Sequence, residues 1–153
     1  MSRVNLQDRL KELGLDAGHA HLLVVVPLVE VAWADGEVQS AERALIVEVA
    51  ERFGLLDETC REILDGWLSK RPSGFYLKHA RAILRELARK ARTPDGLEPE
   101  NVVAWCHAVA NAAGGLFGTS FRAVDAREAE AIERIAKQLG VGDLRDWRAR
   151  IAE

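Results

Sequence analysis

Val31-Ala-Trp-Ala-Asp-Gly-Glu-Val-Gln-Ser-Ala-Glu42 is the stretch whose reading decides the fold. An apolar run that starts at Leu22 ends inside it, Asp35-Gly36 supplies a two-residue turn, and a helical pattern opens on the far side. Gly36 suits the left-handed backbone just past a helix end, where a Cβ is costly. Beyond the turn, Ile46, Val49 and Phe53 lie within about 40° of the direction of Glu42 at 100° per residue. The expected local structure is a helix, a glycine turn and a second helix with an acid at the head of its apolar stripe.

Outward from this joint the pattern stays helical. Upstream, Leu22 to Ala34 is a thirteen-residue apolar run interrupted by Pro27 and Glu30. A membrane span needs about twenty residues, so the run reads as a buried helix of a soluble protein, with no transmembrane segment. It predicts a helix from about Ala17 to Ala34, kinked at Pro27, where the bond to the carbonyl of Leu23 is lost. A short first helix carries Val4, Leu6, Leu10 and Leu13 and stops at Gly14. Downstream, a third helix spans about Ser40 to Phe53 and ends at Gly54. A fourth, capped by Asp57, reaches about Leu68. The fifth, about Phe75 to Arg92, buries Leu77, Ala80, Ile83, Leu84, Leu87 and Ala88.

Pro99 fits the first position of a sixth helix running to about Ala113. Residues 114–124 read as the longest loop. Asp125 caps a seventh helix to Leu139, and Asp143 a short last one. No stretch alternates with the period of a strand over a useful length. The expected fold is all-α, a compact bundle of seven to eight helices in a single domain over residues 1–153.

Composition fits this reading and excludes others. With 48% hydrophobic and 29% charged residues among 153, the chain has the profile of an ordinary globular domain, not of a disordered one. A net charge of −3 gives no global attraction for nucleic acid. Cys60 and Cys106 are the two cysteines and sit far apart in helical patterns, which fits a reducing, cytoplasmic setting. The first residues show no signal-peptide core.

The joint recurs. With Gly54 set against Gly140, Val38 meets Val124, Glu42 meets Glu128, Ile46 meets Ile132 and Ala50 meets Ala136. Asp35-Gly36 then corresponds to Gly114-Gly115 once seven extra residues are allowed in the second loop. Two pseudo-repeated helix–Gly turn–helix halves are therefore expected, spanning about residues 20–142. Each half sets an acid at the top of an apolar stripe, and such an acid needs a partner. The first reading gives it backbone. Asp125 and Glu128 have capping-box spacing, whereas Gln39 is a weak cap, so Glu42 is expected to turn to the Asp35-Gly36-Glu37 loop. The second reading gives it a divalent cation, calcium or magnesium, held by Asp35, Glu42 and Glu37 or Gln39. A calcium-binding EF-hand is excluded, because Val31 and Trp33 occupy positions that need oxygen ligands.

Ala34-Asp35-Gly36-Glu37-Val38 with Glu42, Ile46, Ala50 and Gly54-Leu55 resembles the TerB-like domain of tellurite-resistance proteins. The stretch from Ala113-Gly-Gly115 through Val124 and Glu128 to Ile135-Ala-Lys-Gln-Leu-Gly140-Val141 is similar to the second half of that family. The resemblance implies a helical, non-enzymatic stress-response or tellurite-resistance module that works through protein interaction. It also implies protein partners in membrane-linked complexes and an acidic metal site, which maps to Asp35, Glu37 and Glu42. Gly114 departs from the pattern, standing where the family has Asp. A metal-dependent enzyme built on the same acids is the alternative from another class.

Charge is polarised along the chain. Residues 30–69 carry ten acids against three arginines, whereas residues 70–92 carry eight Lys and Arg against Glu86 alone. Lys78, Arg81, Arg85, Arg89 and Arg92, three or four apart, are expected on one face of the fifth helix. That face is either simply solvated or a docking surface for an acidic protein partner or for a membrane complex at the inner face of the membrane. Tyr76 is the one aromatic that interleaves with these charges, which argues against nucleic acid. No His-x-x-x-His spacing, Cys-x-x-Cys pair or Gly-x-Ser-x-Gly turn is present. Cys106 beside Trp105 reads as core, Gly114-Gly-Leu-Phe-Gly118 lacks the lysine of a phosphate loop, and the four tryptophans read as core or rim. No catalytic residue is assigned.

Overall fold

Pro27 begins a helix instead of kinking one. In the computed structural model, which describes residues 6–90, 92–116 and 126–141, the expected helix from Ala17 to Ala34 is two elements. A 3-10 helix spans Ala17–Val25, and α2 follows directly over Val26–Trp33 with Pro27 in its first turn. A helix start has backbone N–H groups with no intrahelical partner, so a proline costs nothing there. The Leu23 carbonyl that Pro27 was expected to leave unmet accepts instead from the N–H of Val26.

The other helices are α1 (Leu6–Glu12), α3 (Ser40–Arg52), α4 (Glu58–Ser69), α5 (Gly74–Arg89), α6 (Pro99–Leu116) and α7 (Ala126–Leu139). No strand occurs among the described residues, so the chain is all-helical there. Helix α6 runs three residues further than expected, so Gly114 and Gly115 are helical while Gly36 forms a turn with φ +103°. The second Gly pair is therefore not a turn equivalent to the first. The caps expected at Asp125 and Asp143, the rest of the 114–124 loop and Trp147 lie outside the described residues.

Helix α2 is the axis of the bundle. Every residue from Val26 to Ala32 is buried, because the helix packs against α3, α5, α6 and α7 and against the 3-10 helix. An apolar helix without a polar face needs such cover on all sides. Helix α6 contributes Val102, Val103, Trp105, Cys106 and Val109 to the core and packs on α2, α3 and α7. Leu77, Ile83, Leu84 and Leu87 of α5 and Ile132, Ile135 and Leu139 of α7 close the bundle. Gly54 and Gly140, at φ +70° and +77°, end α3 and α7. Each is followed by the same closing bond, Leu55 N–H to Ala50 O and Val141 N–H to Ala136 O, both 2.9 Å.

Trp67 and Trp105 are core residues, as expected. Trp33 sits at the rim and donates its Nε1–H to the carbonyl of Trp67 at 2.8 Å. No helix among the described residues is long and apolar enough to cross a membrane.

Candidate functional site

Four polar side chains are buried among the described residues: Glu30, Glu42, Arg81 and Glu128. They form two pairs, and each pair defines a place on the fold. Glu42, 0% exposed, stands in the first turn of α3, and Glu128, 2% exposed, in the first turn of α7. The Glu42 Oε1 accepts the N–H of Gln39 at 2.8 Å, so Glu42 closes a capping box on its own helix and does not turn to the Asp35 loop. Its carboxyl group also meets that of Glu128 across the bundle, although the two carboxylates repel. Burial first, and then the bond to Glu128, push the Glu42 carboxyl up to about 9, with Asp35 adding a smaller like-charge push.

The acidic loop itself is assembled differently from a ligand set. Asp35 accepts the N–H of Glu37 at 3.4 Å, and exposed Glu37 accepts from the Gln39 side-chain amide at 3.4 Å. Asp35, Glu37 and Glu42 do not converge into a group of metal-ligand spacing. The divalent site implied by the resemblance therefore does not fit these three residues as a set. The near neighbour of the Glu42 carboxyl is Glu128, from the other end of the chain.

The second pair is Glu30 with Arg81. It corrects the expectation that Arg81 lies on an open docking face. At 100° per residue, Lys78, Arg85 and Arg89 fall within about 20° of one direction, whereas Arg81 is turned about 60° from it. That rotation takes Arg81 under α7, where its guanidinium bonds Glu30 of α2 and Gln138 of α7. Arg134 reaches the second Glu30 oxygen from outside at 3.3 Å. Lys78, Arg85 and Arg89 are exposed.

Over the buried Glu30–Arg81 pair lies a cleft of about 440 Å³ between the start of α5 and α7. Arg71, Lys78, Arg81, Arg127 and Arg134 line it against two acids, Glu30 and Glu130. A second hollow of about 690 Å³ continues along the same seam, sharing Lys78, Arg81, Glu130 and Arg134 and adding Glu133, Lys137 and Gln138. The structure thus moves the basic surface from the α5 face alone to the α5–α7 seam. Arg85 and Arg89 lie further along, over a hollow beside Leu139 and Gly140. The cations of α7 were not singled out in the sequence, because they alternate with Glu130 and Glu133 and leave no net charge run.

One further cluster escaped sequence reasoning altogether. His19 of the 3-10 helix and Asp57 and Cys60 at the start of α4 bring a ring nitrogen, a carboxylate oxygen and a thiol within 4.8 Å of one another. They are the one group of metal-ligand spacing among the described residues. Asp57 was visible as a helix cap and Cys60 as a cysteine within a helical pattern. Their meeting with His19, 38 residues earlier, has no local sequence signature.

Comparison of the chain with protein-family models, with curated proteins and with solved structures found no match in any of the three.

Proposed function

We propose that the chain is a non-enzymatic, TerB-like interaction module that takes an acidic segment of a protein partner into the cleft between α5 and α7. The observation that carries this reading is the lining of that cleft, five cations against two acids, above an ion pair that fixes its floor. Clefts with one dominant charge concentrate ligands of the opposite sign and speed their encounter. Phe75, 77% exposed at the start of α5, stacks on the His79 ring and lies outside the lining of the cleft. A partner in a membrane-associated complex, with the chain peripheral at the inner membrane face, agrees with this chemistry.

The TerB-like part of the reading, with its stress- and tellurite-resistance setting, draws support from the two halves of the chain. Glu42 and Glu128 are both buried in the first turn of a helix that ends at a positive-φ glycine twelve residues on. A pseudo-symmetric origin of α3 and α7 accounts for both acids.

The reading is tested with a fluorescent oligoglutamate peptide and with neutral and anionic vesicles. Binding of the peptide is expected to weaken with salt and to fall at least tenfold in the double variant Arg71→Glu/Lys78→Glu, with helix content unchanged. Peptide binding that ignores those changes, or binding to anionic vesicles alone, overturns it. Arg81→Glu is not a usable probe, because it would place two carboxylates against each other in the interior.

A further inference from the structure

We propose that His19, Asp57 and Cys60 form a binding site for a borderline-soft divalent transition metal, of which Zn²⁺ is the best match, with Asp16 as the residue that orients the histidine. The argument starts from two helix caps. Asp16 caps the 3-10 helix by accepting the N–H of Gly18 at 3.0 Å, and Asp57 caps α4 by accepting the N–H of Cys60 at 2.7 Å. The two caps face each other with the His19 ring between them. Its Nδ1 lies 2.7 Å from Asp16 Oδ1 and its Nε2 3.3 Å from Asp57 Oδ2.

A histidine whose Nδ1–H is donated to a carboxylate presents the Nε2 lone pair on its other side. This carboxylate–histidine arrangement is the usual support behind a metal-bound imidazole. In that tautomer the lone pair would face an Asp57 oxygen 3.3 Å away, itself an acceptor. Two acceptors at that distance need a cation between them, either a second ring proton or a metal ion. The spacing suits the metal: bonds of about 2.0–2.1 Å at a tetrahedral angle set N and O ligands roughly 3.3 Å apart. Cys60 adds the third donor, its thiol hydrogen-bonding to the same Asp57. A nitrogen, an oxygen and a sulfur donor select Zn²⁺ over calcium or magnesium, which take oxygen ligands.

The site opens to solvent on one side. Asp57 is exposed and His19 partly so, whereas Cys60 is buried, so an ion enters past the carboxylate and leaves its fourth position to water. Binding breaks the Cys60 S–H bond, forms the sulfur–metal bond and releases the proton to solvent, with no change of oxidation state. Because the thiol must lose its proton to bind, metal binding is coupled to proton release and strengthens with pH. The ion would join the 3-10 helix that leads into α2 to the start of α4.

The test uses Co²⁺ as a spectroscopic stand-in, titrated into the full chain under reducing conditions at neutral pH. A thiolate-to-cobalt charge-transfer band is expected, saturating at one ion per chain and bleached by added Zn²⁺. It should vanish in Cys60→Ala, persist in Cys106→Ala, and require about ten- to a hundredfold more metal in Asp16→Asn. If Cys60→Ala does not fold, the wild-type chain still decides the matter, since Zn²⁺ must shift the His19 ring-nitrogen resonances. A chain that gives no charge-transfer band, or a band that survives in Cys60→Ala, overturns the site. Histidine resonances that do not move with Zn²⁺ overturn it as well.

Discussion

Glu42 and Glu128, 86 residues apart in the chain, bring their carboxyl groups together in the protein interior. Two buried like charges at contact cannot both persist, so the pair keeps a proton that an exposed glutamate would lose. Burial first, and then the Glu128 carboxyl, push the Glu42 carboxyl from an ordinary 4.5 up to about 9. The folded state therefore binds a proton that the unfolded chain releases as pH rises above about 4.5. Stability from this group is full below that pH and declines steadily as pH rises toward 9.

Glu42→Gln keeps an acceptor for the Gln39 N–H and offers its amide to Glu128 without needing the proton. It should stabilise the protein by roughly 1–3 kcal/mol at mildly alkaline pH, do little near pH 4, and flatten the pH profile. Urea denaturation at a series of pH values measures this. A Glu42→Gln profile parallel to that of the parent would show that the pair carries no extra proton.

Arg81 is held by Glu30 and Gln138 under α7, so its loss leaves the buried Glu30 carboxylate with only the outer contact to Arg134 at 3.3 Å. Arg81→Ala is expected to cost about 3–5 kcal/mol. Glu30→Leu with Arg81→Met, which removes both charges and keeps the volume, should recover most of that loss, because ion pairs in the interior gain little over apolar contacts. A double-mutant cycle in denaturant reads the coupling. Additive effects would mean that the two side chains do not stabilise each other.

The helices were legible because each carries its own period and punctuation: Asp57 before α4, Pro99 at α6, Gly54 and Gly140 after α3 and α7. Local pattern was less decisive where packing chooses between two sound local structures. Pro27 in an apolar run fits a kink or a fresh start equally well, and the 3-10 helix before it settles the choice. Helical spacing put Arg81 with Lys78 and Arg85, yet a 60° offset is enough to carry a side chain from the surface into the interior. Glu42 and Glu128 were each readable as acids on an apolar stripe. That they answer each other, and that His19 reaches Asp57 and Cys60, depends on how distant helices pack.

Tyr76 ties three helices by one hydroxyl. It accepts the Nε1–H of Trp67 in α4 at 3.2 Å and donates to the carbonyl of Leu13, just past α1, at 2.6 Å. Tyr76→Phe keeps the ring, which meets Trp67 edge-on, and leaves both partners unsatisfied. A loss of about 1–2 kcal/mol is expected, together with a change in tryptophan emission as the Trp67 indole loses its acceptor. A variant with the stability of the parent would show that water replaces the hydroxyl at both ends.

Two glycines should respond to alanine with opposite signs. Gly66 lies inside α4, where an added Cβ would have nothing within 4 Å, so Gly66→Ala meets no clash. It removes backbone freedom from the unfolded chain and should stabilise by about 0.5–1 kcal/mol. Gly96 holds φ +89°, and a Cβ there would sit 2.8 Å from Cε1 of Phe53, a ring packed against the core. Strain and clash act together, so Gly96→Ala should cost roughly 1–3 kcal/mol. Thermal unfolding of the two variants side by side measures the difference. Its sign depends on the turn that sets Gly96 against the end of α3: equal melting temperatures would mean that this turn yields without loss.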